Sequence, residues 1–205
     1  MQYPDSPNGI FMIDPTGPVD DAVLPFEVFC DMSSDMGKTI LNQTHHQEGG
    51  MFHVSYDNNL TQVVAVIDRS VHCRQLLKLK CNGNYTGSRQ MSWKSRSNEV
   101  MYNWANPTGS RGCPCGLQEG CYQIDKLCNC DIGEDVITSG DDTLTDVGYI
   151  TDKATLPVVQ MNIESYHDSG DEVTLGPIEC NGAASELQGP RNSGSDTTVG
   201  WELLQ

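Results

Sequence analysis

The sequence predicts an α+β fold that is mostly β, rich in loops and held together by disulfide bonds. Three observations lead there: short apolar segments bounded by turn residues, a single segment of helical period, and nine cysteines. Hydrophobic residues make up 37% of the 205 and aromatic residues 7%, with 20 glycines and 10 prolines, which suits loop-rich sheets better than a helical bundle.

The elements follow in chain order. Residues 9–13 form a first strand, closed by the turn Asp14-Pro15-Thr16-Gly17, where Pro and Gly suit a tight reversal. Residues 26–29 form a second strand with Cys30 at its end, and residues 38–41 a third. Leu60, Val63, Val64, Ile67 and Val71 then recur at helical spacing. Asn59 stands at the N-cap position with Gln62 three residues on, as in a capping box, so one amphipathic helix over 60–70 is expected to pack on a sheet. Between residues 76 and 80 apolar and basic residues alternate, with Leu77 breaking the pattern, as in a half-buried strand. Gly83, Gly87, Asn103 and Pro107 mark loops around Trp93 and Trp104, which read as core or rim packing. Residues 156–163, with Pro157 near the start, and residues 173–180 form two late strands. Beyond Cys180 the chain turns polar and Gly/Ser-rich until Trp201, and residues 1–182 are expected to be the domain and 183–205 a tail or linker.

Five of the nine cysteines fall between residues 113 and 130, as Cys113-Pro114-Cys115, Cys121 and Cys128-Asn129-Cys130. Zinc sites favour two residues between paired thiolates, so that both turn to one ion. A single intervening residue on extended backbone instead suits disulfides to different partners. Three glycosylation sequons begin at Asn42, Asn59 and Asn84. Together with the clustered cysteines they place the chain in the oxidising secretory route, extracellular or in the ectodomain of a larger protein. The start of the chain shows no basic end followed by an apolar stretch, which reads as a fragment of a longer secreted chain. Nine is odd, so one cysteine is free or bonded outside the chain, and the isolated Cys30 is the candidate.

A formal net charge of −16 argues against nucleic-acid binding, and no run of 18 apolar residues exists to span a membrane. The charge is segregated. Arg69, Arg74, Lys78, Lys80, Arg89, Lys94 and Arg96 form a basic stretch without an acid, and residues 131–152 carry seven acids without a base. These read either as two solvated, mutually attracting surfaces or as a basic contact for sialylated or sulfated glycans or an acidic partner. No phosphate loop, nucleophile elbow or zinc-protease motif occurs, so an enzyme is not expected. His45, His46 and His53 read as solvated, with a metal site as the lesser alternative. The acidic stretch supplies oxygen ligands suited to calcium, chiefly Asp131, Asp141 and Asp142 with Glu134, Asp135 and Asp146 nearby.

The cysteine string carries a resemblance. Cys113-Pro114-Cys115-Gly116-Leu117, Cys121 and Cys128-Asn129-Cys130-Asp131 resemble the fibrinogen-like module of contactin-associated proteins, the neurexin IV group. Val71-His72-Cys73 before Cys81, Leu156-Pro157-Val158-Val159 and Leu175-Gly176-Pro177-Ile178-Glu179-Cys180-Asn181-Gly182 support it, and the opening from Gly9-Ile10-Phe11-Met12-Ile13-Asp14 through Pro25 to Met32 resembles that of fibrinogen-related domains at large. This resemblance implies a fibrinogen-like fold with a central antiparallel sheet, few short helices and long stapled loops. It implies a non-enzymatic adhesion or matrix module that binds a protein or glycan partner, with Cys30 bonded upstream of the chain. A more distant resemblance, to the fibrillar collagen C-terminal propeptide, implies a Cys81–Cys180 bond, with Cys73 reaching the cluster. It also implies the alternative role of an assembly module forming homo-oligomers or filaments.

Overall fold

The computed structural model describes residues 6–17, 23–34, 37–82, 87–88, 90–104, 112–117, 120–122, 126–132, 143–166 and 170–183. The strands of the first half are β1 (Gly9–Ile13), β2 (Phe26–Asp31), β3 (Lys38–Leu41), β4 (Gln43–Glu48) and β5 (Met51–Tyr56). Helix α1 (Leu60–Arg69) leads into the long strand β6 (Ser70–Asn82), followed by β7 (Gly87–Ser88), β8 (Met91–Lys94) and β9 (Val100–Met101). A one-turn helix α2 (Pro114–Leu117) precedes β10 (Asp131–Ile132), β11 (Thr143–Ile150), β12 (Gln160–Ile163) and β13 (Glu172–Ala183). The described part is mostly antiparallel sheet with few helices. The expected tail begins at the last residue of β13, and residues 184–205 lie outside the described residues.

The chain divides into two compact units, one of Met1–Leu41, Tyr56–Cys73 and Ile178–Gln205, the other of Asn42–Ser55 and Arg74–Pro177. In the first, β1, β2, β3 and β13 form an antiparallel ladder with Ile13 opposite Phe26, Cys30 opposite Thr39 and Leu41 opposite Ile178. The turn after β1 forms because the Asp14 carboxylate accepts the Thr16 and Gly17 amides at 3.2 and 2.9 Å. Helix α1 starts where its capping box does: Asn59 Oδ1 accepts the Gln62 amide at 3.0 Å, and Gln62 Oε1 accepts the Asn59 amide at 3.2 Å. Such a cap contributes about 1 kcal/mol. Val63, Val66 and Ile67 are fully buried, each stabilising by roughly 1.5–3 kcal/mol. Ser70 ends the helix by returning its hydroxyl to the Val66 carbonyl at 2.8 Å.

In the second unit β6 lies between β13 and β11, and a five-stranded sheet runs in the order β4-β5-β12-β8-β9. Gln75, Leu77, Leu79 and Cys81 are buried on one face of β6, while Leu76, Lys78 and Lys80 are half-buried on the other. The period-2 pattern is therefore Leu77-Lys78-Leu79-Lys80-Cys81, and the residue that breaks it is Leu76, not Leu77. Residues 156–159 are not part of a strand; the ladder begins at Gln160. The cis Leu156-Pro157 bond lies in this segment, Pro157 has no N–H to donate, and the Val158 amide is taken by Gln75 Oε1 at 3.2 Å. Trp93 and Trp104 are buried, and Trp93 Nε1 donates to the Asn103 carbonyl at 2.9 Å.

Candidate recognition surface

All nine cysteines are among the described residues, and eight of them form Cys73–Cys180, Cys81–Cys130, Cys113–Cys128 and Cys115–Cys121. Each pair separated by one residue splits between two partners. Cys73, not Cys81, meets Cys180, because their strands bring the two Cα atoms within 4.1 Å. Cys81 is eight residues further along β6, roughly 26 Å at the rise of a strand, and no single disulfide spans that. The propeptide-type pairing is therefore corrected: Cys81 bonds the cluster at Cys130, and Cys73 does not reach it.

Asp146 on β11 organises the cluster. It is 2% exposed, and its oxygens accept the backbone amides of Asn129 and Cys130, both at 2.8 Å. Asn129 in turn donates its side-chain amide to the Thr145 carbonyl at 2.9 Å and accepts the Tyr122 amide at 2.7 Å. Burial pushes the Asp146 carboxyl above the ordinary carboxylate range; the two amides pull it down and the nearby Asp131 charge pushes it up. Asp146, Cys113 and Cys128 bring their ligand atoms within 4.8 Å of one another, but the two sulfurs are bonded together and the carboxylate is held by amides. This geometry makes the trio a disulfide braced by a carboxylate.

Two glycines admit close approach. A Cβ at Gly148 on β11 would stand 2.7 Å from Pro114 Cγ and 3.1 Å from the Trp104 carbonyl. One at Gly116 would stand 2.4 Å from the Leu127 carbonyl oxygen, which accepts the Cys113 amide at 2.9 Å. Three disulfides, Asp146 and these approaches thus fix the backbone around Tyr122 and Leu127, whose side chains remain 66% and 49% exposed.

A second exposed feature is the outward face of the β6–β11 pair. Register places Leu76 opposite Tyr149, Lys78 opposite Val147 and Lys80 opposite Thr145. The Arg74 guanidinium lies over the Tyr149 ring, 4.4 Å from its centroid. Of the basic stretch, then, β6 gathers Arg74, Lys78 and Lys80. Lys94 sits on β8, Arg69 ends α1, Arg96 is in a turn, and Arg89 lies outside the described residues.

Of the proposed calcium ligands, Asp131 pairs in β10 opposite Ser88, whereas Asp141 and Asp142 lie outside the described residues, as do Glu134 and Asp135. Asp146 is engaged by amides and does not fit a cation site. His45, His46 and His53 are exposed on β4 and β5, and among the described residues they do not bring their ligand atoms together as a group. Sequon residues Asn42 and Asn59 are exposed, and Asn84 lies outside the described residues. Capping uses Asn59 Oδ1, which leaves the glycosylatable Nδ2 outside the cap hydrogen bond.

Cys30 is the free cysteine, half-buried on β2 on the side of Phe26 and Val28. Burial raises its thiol pKa, only partly offset by a hydrogen bond with Thr39. A raised pKa means less thiolate at neutral pH. Cys30 is therefore expected to react with a disulfide reagent several-fold more slowly in the folded chain than in guanidinium; equal rates would contradict this placement.

Sequence reasoning missed Tyr149, Val147, Tyr122 and Leu127. The alternation Thr143, Thr145, Val147, Tyr149 of strand-forming residues was the available signal for the first two.

No family model matches the chain. Curated relatives do, among them the following two. Neurexin-4 of Drosophila melanogaster is 33% identical over an alignment of 199 residues that covers 83% of this chain and 14% of that protein. Contactin-associated protein 1 of Rattus norvegicus is 28% identical over 194 residues, covering 85% of this chain and 14% of that protein. The chain is homologous to both. It spans about one seventh of the length of either relative.

Proposed function

We propose that this chain is a non-enzymatic, extracellular adhesion-type module of fibrinogen-like fold, with residues 1–182 as the domain and 183–205 as its tail, that recognises an extracellular protein. The single observation that carries the reading is the exposed pair Tyr122 and Leu127 on backbone held by disulfides and Asp146. A large aromatic side chain on rigid backbone binds with little further loss of conformational freedom, which is how recognition hot spots are built. Homology to a protein named for its association with contactin supports the same class. Four disulfides support the secretory compartment.

The test is a binding screen of the whole chain against arrayed extracellular ectodomains, repeated with Tyr122→Ala/Leu127→Ala. A partner whose affinity falls at least tenfold, roughly 1.4 kcal/mol, in the double variant supports the reading. A screen without a partner, or a partner indifferent to both residues, overturns it. Glycosylation at Asn42, Asn59 and Asn84 belongs to this proposal and is read by glycosidase shifts on secreted material. Calcium at Asp131, Asp141 and Asp142 is read by titration calorimetry. The rival assembly role requires self-association, which size-exclusion mass measurement resolves, and a covalent form of it would run through the sheltered Cys30.

A further inference from the structure

We propose that the outward face of the β6–β11 pair binds a sulfated glycan chain, with Arg74, Lys78 and Lys80 as its cationic contacts. The chain carries only 12 basic residues against 28 acidic ones, yet three of the 12 lie on one face of one strand. Same-face residues along a strand recur every ~6.6 Å, so the three cations span roughly 20 Å in a line. The facing positions on β11 are Thr143, Thr145, Val147 and Tyr149, none of them acidic. An ion pair recorded on this face joins Lys80 to Glu172 at 3.7 Å, with the side chains 40% and 65% exposed. A pair so exposed contributes little and exchanges readily for a stronger anion.

The arrangement selects the ligand's chemistry. The Tyr149 ring under Arg74 fixes one face of its guanidinium, and the N–H edge of that plane matches paired oxygens such as those of a sulfate. Thr143 and Thr145 add hydroxyls of the kind that hydrogen-bond sugars. In the compartment that the disulfides indicate, the polyanions are glycans and not nucleic acids. A straight row of cations on β6, one strand in from the edge strand β11, fits a linear polyanion. This inference is independent of Tyr122 and Leu127.

The test uses surface plasmon resonance of the whole chain on immobilised heparin at roughly 50 and 150 mM NaCl, because binding to a linear polyanion is strongly screened by salt. Binding is expected at the lower salt and should weaken at the higher. Arg74→Ser/Lys78→Ser/Lys80→Ser should lose at least tenfold in affinity, while Lys38→Ser/Lys94→Ser/Lys126→Ser, which removes the same charge elsewhere, should lose no more than about threefold. Lys78→Glu alone serves as a second variant should the triple change disturb folding, which an unchanged disulfide map would exclude. Failure of heparin to bind, equal loss in both triple variants, or equal binding of desulfated heparin overturns the proposal. Equal binding of poly-glutamate also overturns it, in favour of an acidic protein partner.

Discussion

Replacing Asp146 by alanine is expected to destabilise the chain by roughly 2–4 kcal/mol and to scramble the cluster disulfides during oxidative refolding. The carboxylate is buried at a cost, which is why its pKa is raised, but its two oxygens satisfy the Asn129 and Cys130 amides. Alanine leaves both amides without this acceptor, and a group so orphaned costs more than a hydrogen bond contributes. Those amides flank Cys128 and Cys130, so the positions of both sulfurs depend on the carboxylate. Asp146→Asn is a finer probe, since an amide accepts one N–H but turns its own donor toward the other. The pH dependence has a definite sign. With a raised folded pKa, the folded state holds the Asp146 proton more tightly than the unfolded chain does. Stability from this group is therefore present below the ordinary carboxylate value and lost as pH rises through the raised one. The wild-type advantage over Asp146→Asn in urea should accordingly shrink over the interval in which pH rises above the ordinary carboxylate value. An advantage that grows over that interval would contradict the assignment.

Gly116→Ala is expected to be comparably damaging, roughly 2–4 kcal/mol, although it adds one carbon. The new Cβ would lie 2.4 Å from the Leu127 carbonyl oxygen and 2.8 Å from its carbon, both backbone atoms that no rotamer change can move. Separation would break the hydrogen bond that the Cys113 N–H donates to the same carbonyl and pull Cys128, the next residue, away from Cys113. Peptide mapping of the refolded variant under non-reducing conditions should show loss of the native four-bond isomer. A native map, with a melting midpoint within about 1 °C of wild type, would refute the argument.

Much of the first unit was legible because its signals are local. The Asn59–Gln62 box, the apolar period through Val63 and Ile67, and the Asp14 turn each act over a few neighbouring residues. Strand β11 carried a signal only on its outward face. Its inward positions are Leu144, Asp146, Gly148 and Ile150, so a carboxylate and a glycine interrupt the apolar alternation, and the segment reads as an acidic loop. Strand β4 was missed because from Thr44 to Glu48 it is exposed throughout and carries no apolar face.

By itself the sequence determined the sheet-rich class and the capped helix, because composition and short-range periodicity act without reference to distant residues. Only the tertiary structure decided which cysteines pair, that Asp146 is a brace and not a cation ligand, and that three of seven clustered basic residues share one face. The physical reason is common to all three. Each depends on which strands lie side by side, and strand order is settled by packing across separations such as the 107 residues between Cys73 and Cys180, which no local pattern encodes.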